Sequence, residues 1–264
     1  MPLGEHLREL RSRLVKSVLA ISVGAVIGWV YYEPIFNFIA EPFMLVVNQA
    51  RAEGRDVQLV MTGVTDSFVL QMQVAAVTGI VLAAPIWLYQ VWRFVTPGLH
   101  KNERRWSLLL VATATPLFLA GVALAYFFMP NAIGFLLGFT PSSVSNLVDV
   151  SRYISFFLNT VIVFGIGFLL PLFALMLNLV GVLPAKTFIS SWRWIVIGIF
   201  VFAAVATPDG NPFTMTMLAG PIMLLLTIVM GIAWLHDRRK LRRAETVDLR
   251  DDEASVIPDI SEID

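Results

Sequence analysis

The sequence predicts an all-α integral membrane protein, with six kinked transmembrane helices in a curved, cup-like bundle, an extracytoplasmic cap and both termini in the cytoplasm. Three observations carry this expectation. Hydrophobic residues make up 57% of the 264-residue chain and charged residues 14%, more apolar and less charged than ordinary soluble domains. Six apolar stretches reach or approach the roughly 20 helical residues that cross a hydrocarbon core of about 30 Å. Lysine and arginine cluster on alternate sides of those stretches, as the positive-inside rule requires.

The first stretch, residues 14–32, follows the basic segment "EHLRELRSRL" and ends in "VYYEP". It is longer than a signal-peptide core and lacks a small-residue cleavage site, so a retained span is expected. The others cover residues 67–92, 106–129, 153–180, 192–206 and 213–235. With these as alternating passages, one side receives Arg8, Arg11, Arg13, Lys16, Arg93, Lys101, Arg104, Arg105, Lys186, Arg193 and the six cations from Arg238 to Arg250. Only Arg51, Arg55 and Arg152 fall on the other. The cation-rich side is therefore the cytoplasmic one.

Residues 33–66 and 130–152 form long, apolar outer segments, expected as short surface helices building the cap. In contrast, "TPDGNP" at 207–212 is a tight, breaker-rich connection that makes the last two helices a hairpin. The stretch 192–206 is short, about 23 Å at 1.5 Å per residue, and predicts local bilayer thinning. Pro85, Pro116, Pro171 and Pro221 each interrupt a span and predict bends. Residues 1–243 are thus read as the membrane domain. Residues 244–264, acidic after the basic "HDRRKLRR", are read as a disordered tail whose basic start anchors at anionic headgroups.

No span carries Asp, Glu, Lys or Arg near its centre; Gln71, Gln73, Gln90, Asn159 and Asn178 are the polar exceptions, expected as packing contacts between helices. The chain has no cysteine and three scattered histidines, so neither a metal nor another cofactor is expected. Nucleotide-binding loops, serine-hydrolase elbows and zinc-protease helices are absent from the sequence. An enzyme is not expected.

Leu3, Leu7, Leu10 and Leu14 give the opening segment one apolar stripe. Glu5 and Arg8 are spaced i,i+3, and Glu9 and Arg13 i,i+4, so local pairing is the reading that spacing alone favours, at roughly 0.2–0.5 kcal/mol per pair. The loop "RFVTPGLHKNERRW" repeats the pattern with a single carboxylate, Glu103, among cations. Two isolated carboxylates on one cytoplasmic face can also receive a guanidinium pair from another chain, by the stronger, charge-assisted class of hydrogen bond.

"HLRELRSRL", "APIWLYQVWRFVTPGLHKNERR" and "ATPDGNPFTM", together with the six-span pattern, resemble the TatC family of twin-arginine protein translocase receptors. The resemblance implies a receptor that binds the twin-arginine signal peptides of folded precursors. It also implies TatA-like and TatB-like single-span partners, self-association, and transport driven by the proton motive force. By motif position it places signal-peptide binding at Glu9, Arg11, Phe94 and Glu103, a structural proline of the cap at Pro42 and one of span two at Pro85. Two departures stand out. Where family members often carry a span-four glutamate, this chain has Leu169 in "FLLP", so a partner contact there is absent or replaced by Asn159, Asn178 or Gln90. The hairpin "TPDGNP" leaves open whether Asp209 or Asn211 stands for the family's acid. The competing expectations are a small-solute secondary transporter, which needs a midplane site and usually ionisable groups, and a structural scaffold.

Overall fold

The computed structural model describes residues 3–54, 57–95, 103–140, 146–179, 190–206 and 212–252. Eight helices and two short strands occupy them: α1 (Leu3–Val30), α2 (Tyr32–Ala52), β1 (Val57–Val60), α3 (Asp66–Leu82), α4 (Ala84–Val95), α5 (Glu103–Leu137), β2 (Asn146–Asp149), α6 (Val150–Leu179), α7 (Trp192–Ala206) and α8 (Pro212–Asp252). Helices α1, α5, α6 and α8 are each long and apolar enough to cross a membrane, and α3 with α4 makes a fifth candidate, bent by 62° at its break. Helix α7, with 15 residues, is shorter than these.

The 28 residues of α1 run unbroken from the charged opening into the apolar stretch. At 1.5 Å per residue that is about 42 Å, so roughly 12 Å exceeds the hydrocarbon core. The leucine stripe does not pack inward: Leu7, Leu10 and Leu14 are all exposed on the protein surface. Of the two charge pairs the spacing offered, Glu9–Arg13 forms, while Glu5 and Arg8 both stay exposed.

Helix α1 packs along α3 and α4. In lipid, hydrophobicity does not drive helices together, so close contact between small residues must. Gly24 of α1 meets Gly79 of α3: a Cβ added at Gly79 would lie 2.5 Å from the Ile21 carbonyl oxygen and 2.7 Å from the Ala25 nitrogen. Gly28, one turn on, lies against Ala75. Between α5 and α6, a Cβ on Gly121 would meet the Phe164 carbonyl oxygen at 2.5 Å.

Pro85 marks the sharp bend between α3 and α4. It sits in the first turn of α4, where its missing N–H costs nothing, and Ala83 forms the hinge with φ −81° and ψ 4°. The Trp87 indole N–H donates to the Ile80 carbonyl across the break at 2.9 Å, supplying the partner that a broken helix in a membrane needs. The other span prolines do not break their helices: α5 continues through Pro116 and Pro130, α6 through Pro171 and α8 through Pro221. Neighbouring helices re-satisfy such freed groups, so a proline in a span need not end it.

The outer segments differ from the short helices expected. Residues 32–52 form one helix through the buried Pro42, and α5 extends to Leu137. Pro42 removes a backbone donor, and the Tyr153 hydroxyl donates to the nearby Ile39 carbonyl at 2.9 Å, pinning α2 to α6. The strands pair in parallel, Val57 opposite Asn146 through Val60 opposite Asp149. Parallel pairing needs a long crossover, here α3, α4 and α5. Asp149 then caps α6, accepting the backbone N–H of Ser151 at 2.8 Å and of Arg152 at 3.2 Å.

A larger core joins α2, α3, α5, α6, α7 and α8 around Phe43, Ile154, Phe164, Leu218 and Ile222. A smaller one joins α4, α5 and α6 around Leu88, Trp92, Phe118 and Leu172. As the amide pattern predicts, the Ser155 hydroxyl donates to Gln73 Oε1 at 2.7 Å, linking α6 to α3. The domain boundary expected at Ala244 falls within α8, which continues to Asp252 through a run rich in helix-favouring Arg, Lys, Leu and Ala. Residues 253–264 lie outside the described residues.

Candidate functional site

The carboxylate of Glu9 lies on the part of α1 that precedes the apolar stretch, which begins at Leu14. Arg13, one turn on, donates from Nε to Glu9 Oε1 at 3.1 Å, and its Nη2 makes a second, shorter contact with the same oxygen. The Arg13 hydrogen bond holds the Glu9 carboxyl below the usual carboxylate range. Partial desolvation opposes this, and the charges of Arg13, His6 and Arg93 add to it. Glu9 is thus ionised at neutral pH and stands in a positive field.

Arg93 belongs to α4, so that field joins two elements. The contact between them is direct: the rings of His6 and Phe94 stack with centroids 4.6 Å apart and planes 17° from parallel. The glycine contact of α1 with α3 and the 62° bend into α4 together bring the end of α4 back to the charged turns of α1. Arg93 is held beside its own helix, with Nη1 donating to the Tyr89 hydroxyl at 3.1 Å and the guanidinium 5.9 Å from the Tyr89 ring centroid.

Of the residues that the sequence singles out, Glu9 and Phe94 are thus brought to one place. Arg11 lies on α1 between Glu9 and Arg13 and is exposed. Glu103 opens α5, which packs against α4; its side chain, and residues 96–102 before it, lie outside the described residues. So do Asp209 and Asn211. Gln90 is half-buried on α4, and Leu169 packs against the smaller core, apolar surroundings in which leucine fits where a carboxylate would need a partner. Asn178 is buried, whereas Asn159 is exposed on the flank of α6.

Sequence reasoning passed over His6. The available signal was its position three residues before Glu9, which puts both on one helix face. Its stacking partner, 88 positions away, carries no sequence signal.

This arrangement of α1, the broken α3–α4 pair and α5 can be set beside known proteins. The family model for Sec-independent protein translocase protein (TatC) matches residues 5–221.

The chain belongs to the TatC family.

Among curated members, Sec-independent protein translocase protein TatC of Frankia casuarinae is 38% identical over 263 residues, covering 97% of this chain and 72% of that protein. The TatC of Xylanimonas cellulosilytica is 38% identical over 243 residues, covering 92% and 87%. A crystal structure of the twin arginine translocase receptor TatC superposes with a TM-score of 0.74 at 32% identity, covering 86% of this chain and 99% of that one. Family membership and the apolar helices make this chain a multi-pass membrane protein of the twin-arginine translocation system.

Proposed function

We propose that this chain is the receptor subunit of a twin-arginine translocase, binding the signal peptides of folded precursors at its cytoplasmic face. The observation that carries the reading is the meeting of α1 and α4. The stacked His6 and Phe94 join the helix that carries the ionised Glu9 to the end of α4, the element that precedes Glu103 in the chain. A signal peptide would place one guanidinium on each carboxylate, with Phe94 against its apolar part and Arg11 shaping the Glu9 side. Planar guanidinium matches carboxylate in a two-bond geometry that lysine cannot reproduce.

In this reading α7 is a short fifth crossing, the bent α3–α4 pair is the second, and both termini lie in the cytoplasm of a cell-membrane protein. The acidic segment 244–264 follows the membrane domain in the sequence. The small partner subunits, resembling TatA and TatB, pack on the outer flanks, where the exposed amide of Asn159 offers a polar contact in place of a charge at Leu169. The proton motive force drives passage, and no covalent chemistry is involved.

Site-specific photo-cross-linking of a twin-arginine precursor to positions flanking Glu9 and Glu103 tests the reading. Glu9→Ala and Glu103→Ala should each weaken precursor capture about tenfold or more while the protein still inserts, because each leaves a guanidinium without its charge-assisted partner. Full capture by both single variants would falsify the site.

A further inference from the structure

At one end of the hairpin formed by α7 and α8, an open groove of about 410 Å³ is lined by Trp192, Thr227, Met230, Gly231 and Trp234. This falls in the size range of ligand clefts, about 300–1,000 Å³. Its wall is apolar in effect, since the Thr227 hydroxyl already donates to the Met223 carbonyl at 2.8 Å. Gly231 leaves the floor open: a Cβ there would meet nothing within 4 Å. The two tryptophans at the rim are 53% and 45% exposed, so neither closes it.

Each rim tryptophan carries an arginine. The Arg193 guanidinium lies 5.8 Å from the Trp192 ring centroid and the Arg238 guanidinium 5.1 Å from that of Trp234. Both guanidinia are exposed and neither is in an ion pair among the described residues. An apolar cleft with two cations at one end is complementary to an amphiphile with a hydrocarbon chain and one anionic head. A neutral lipid would leave the guanidinia without an anion; a free phosphate would leave the cleft wet. Tryptophans paired with arginines at the end of an apolar stretch, as Trp234 is, also mark the depth of the headgroup layer.

We propose that this groove is a binding site for an anionic glycerophospholipid, with an acyl chain along Gly231 and Met230 and the phosphate between Arg193 and Arg238. The site lies on the two final helices and is separate from the Glu9 region. A lipid bound there would fill the cleft between α7 and α8.

Native mass spectrometry of the full-length chain in mild detergent, supplied with dioleoyl phosphatidylglycerol or dioleoyl phosphatidylcholine, tests this. The wild type should retain one phosphatidylglycerol about tenfold more readily than phosphatidylcholine. The Arg193→Gln/Arg238→Gln double variant should lose that preference. Gly231→Leu, whose side chain enters open space, should lose retention of both lipids while the protein stays folded. Arg242→Gln/Arg243→Gln, a charge-matched control further along α8, should behave as wild type. Equal retention of the two lipids by the wild type overturns the proposal. So does undiminished retention by Gly231→Leu, or a control as defective as the rim variant, which would mark diffuse attraction to the basic run. A second protein helix seated in the groove, seen as an oligomer that excludes lipid, would overturn it too.

Discussion

Glu9 has a partner of its own before any ligand arrives. Arg13 holds its carboxylate from within the same helix turn, so a guanidinium from a signal peptide has to compete with it. The pair is partly buried, but an i,i+4 pair within one helix contributes little, which suits an occupant that must yield. Arg13→Gln should therefore tighten binding of a synthetic twin-arginine peptide by about two- to fivefold, read by fluorescence anisotropy; weaker binding would mean that Arg13 orients Glu9 rather than occupying it. Asp149 gives the other residue-scale expectation. Its carboxyl is held below the ordinary aspartate range, first by the Thr62 hydroxyl and then by the Arg152 and Ser151 backbone N–H groups and the Arg152 charge, against partial desolvation. A depressed carboxylate contributes stability above its unfolded pKa and loses it as pH falls through the folded one. The Ser151 and Arg152 amides should lose hydrogen-exchange protection between about pH 5 and pH 2. Asp149→Asn, which can still cap, should flatten that dependence.

What places α1 is a backbone-to-backbone approach at two glycines. Their side-chain positions are filled by the facing helix, so a substitution there acts on the separation of α1 from α3 and, through it, on where Glu9 stands relative to Phe94. Gly79→Val should destabilise the fold by about 1–3 kcal/mol, measured as a lowered unfolding midpoint in detergent. It should also weaken precursor capture although Gly79 is remote from the site. Gly198→Ala on α7, where a Cβ meets nothing within 4 Å, is the matched control and should be neutral or slightly stabilising. The break at Ala83 has the complementary effect. It turns α4 out of the α3 direction and leaves the Trp87 indole to cover an exposed carbonyl, so the bend is fixed by a hydrogen bond as well as by Pro85.

For the molecule as a whole, sidedness is directly measurable, because a chain without cysteine accepts single reporter cysteines. With a membrane-impermeant maleimide on intact cells, Phe139→Cys should label at once and Gly4→Cys only after permeabilisation; the reverse order would invert the topology. The apolar windows located α1, α5, α6 and α8 but not their ends, because a span must satisfy its own backbone hydrogen bonds and so declares itself in about 20 consecutive residues, whereas the helix can run on past them. Cation placement likewise carried the expectation of orientation, and Pro85 that of a bend. Local rules reached no further than that. The link that pins α2 to α6 joins Tyr153 to the Ile39 carbonyl across more than 100 residues. Two four-residue strands found each other across three helices. At the site, spacing identified the Glu9–Arg13 pair, but the stacking of His6 on Phe94 exists only because Gly24 and Gly79 let two helices touch and the chain then turns by 62°. The sequence by itself determined where the long apolar spans lie, since that property is written in adjacent residues; the tertiary structure decided the form of the outer segments and which polar groups meet, because contacts between distant segments depend on helix separation and bend angle.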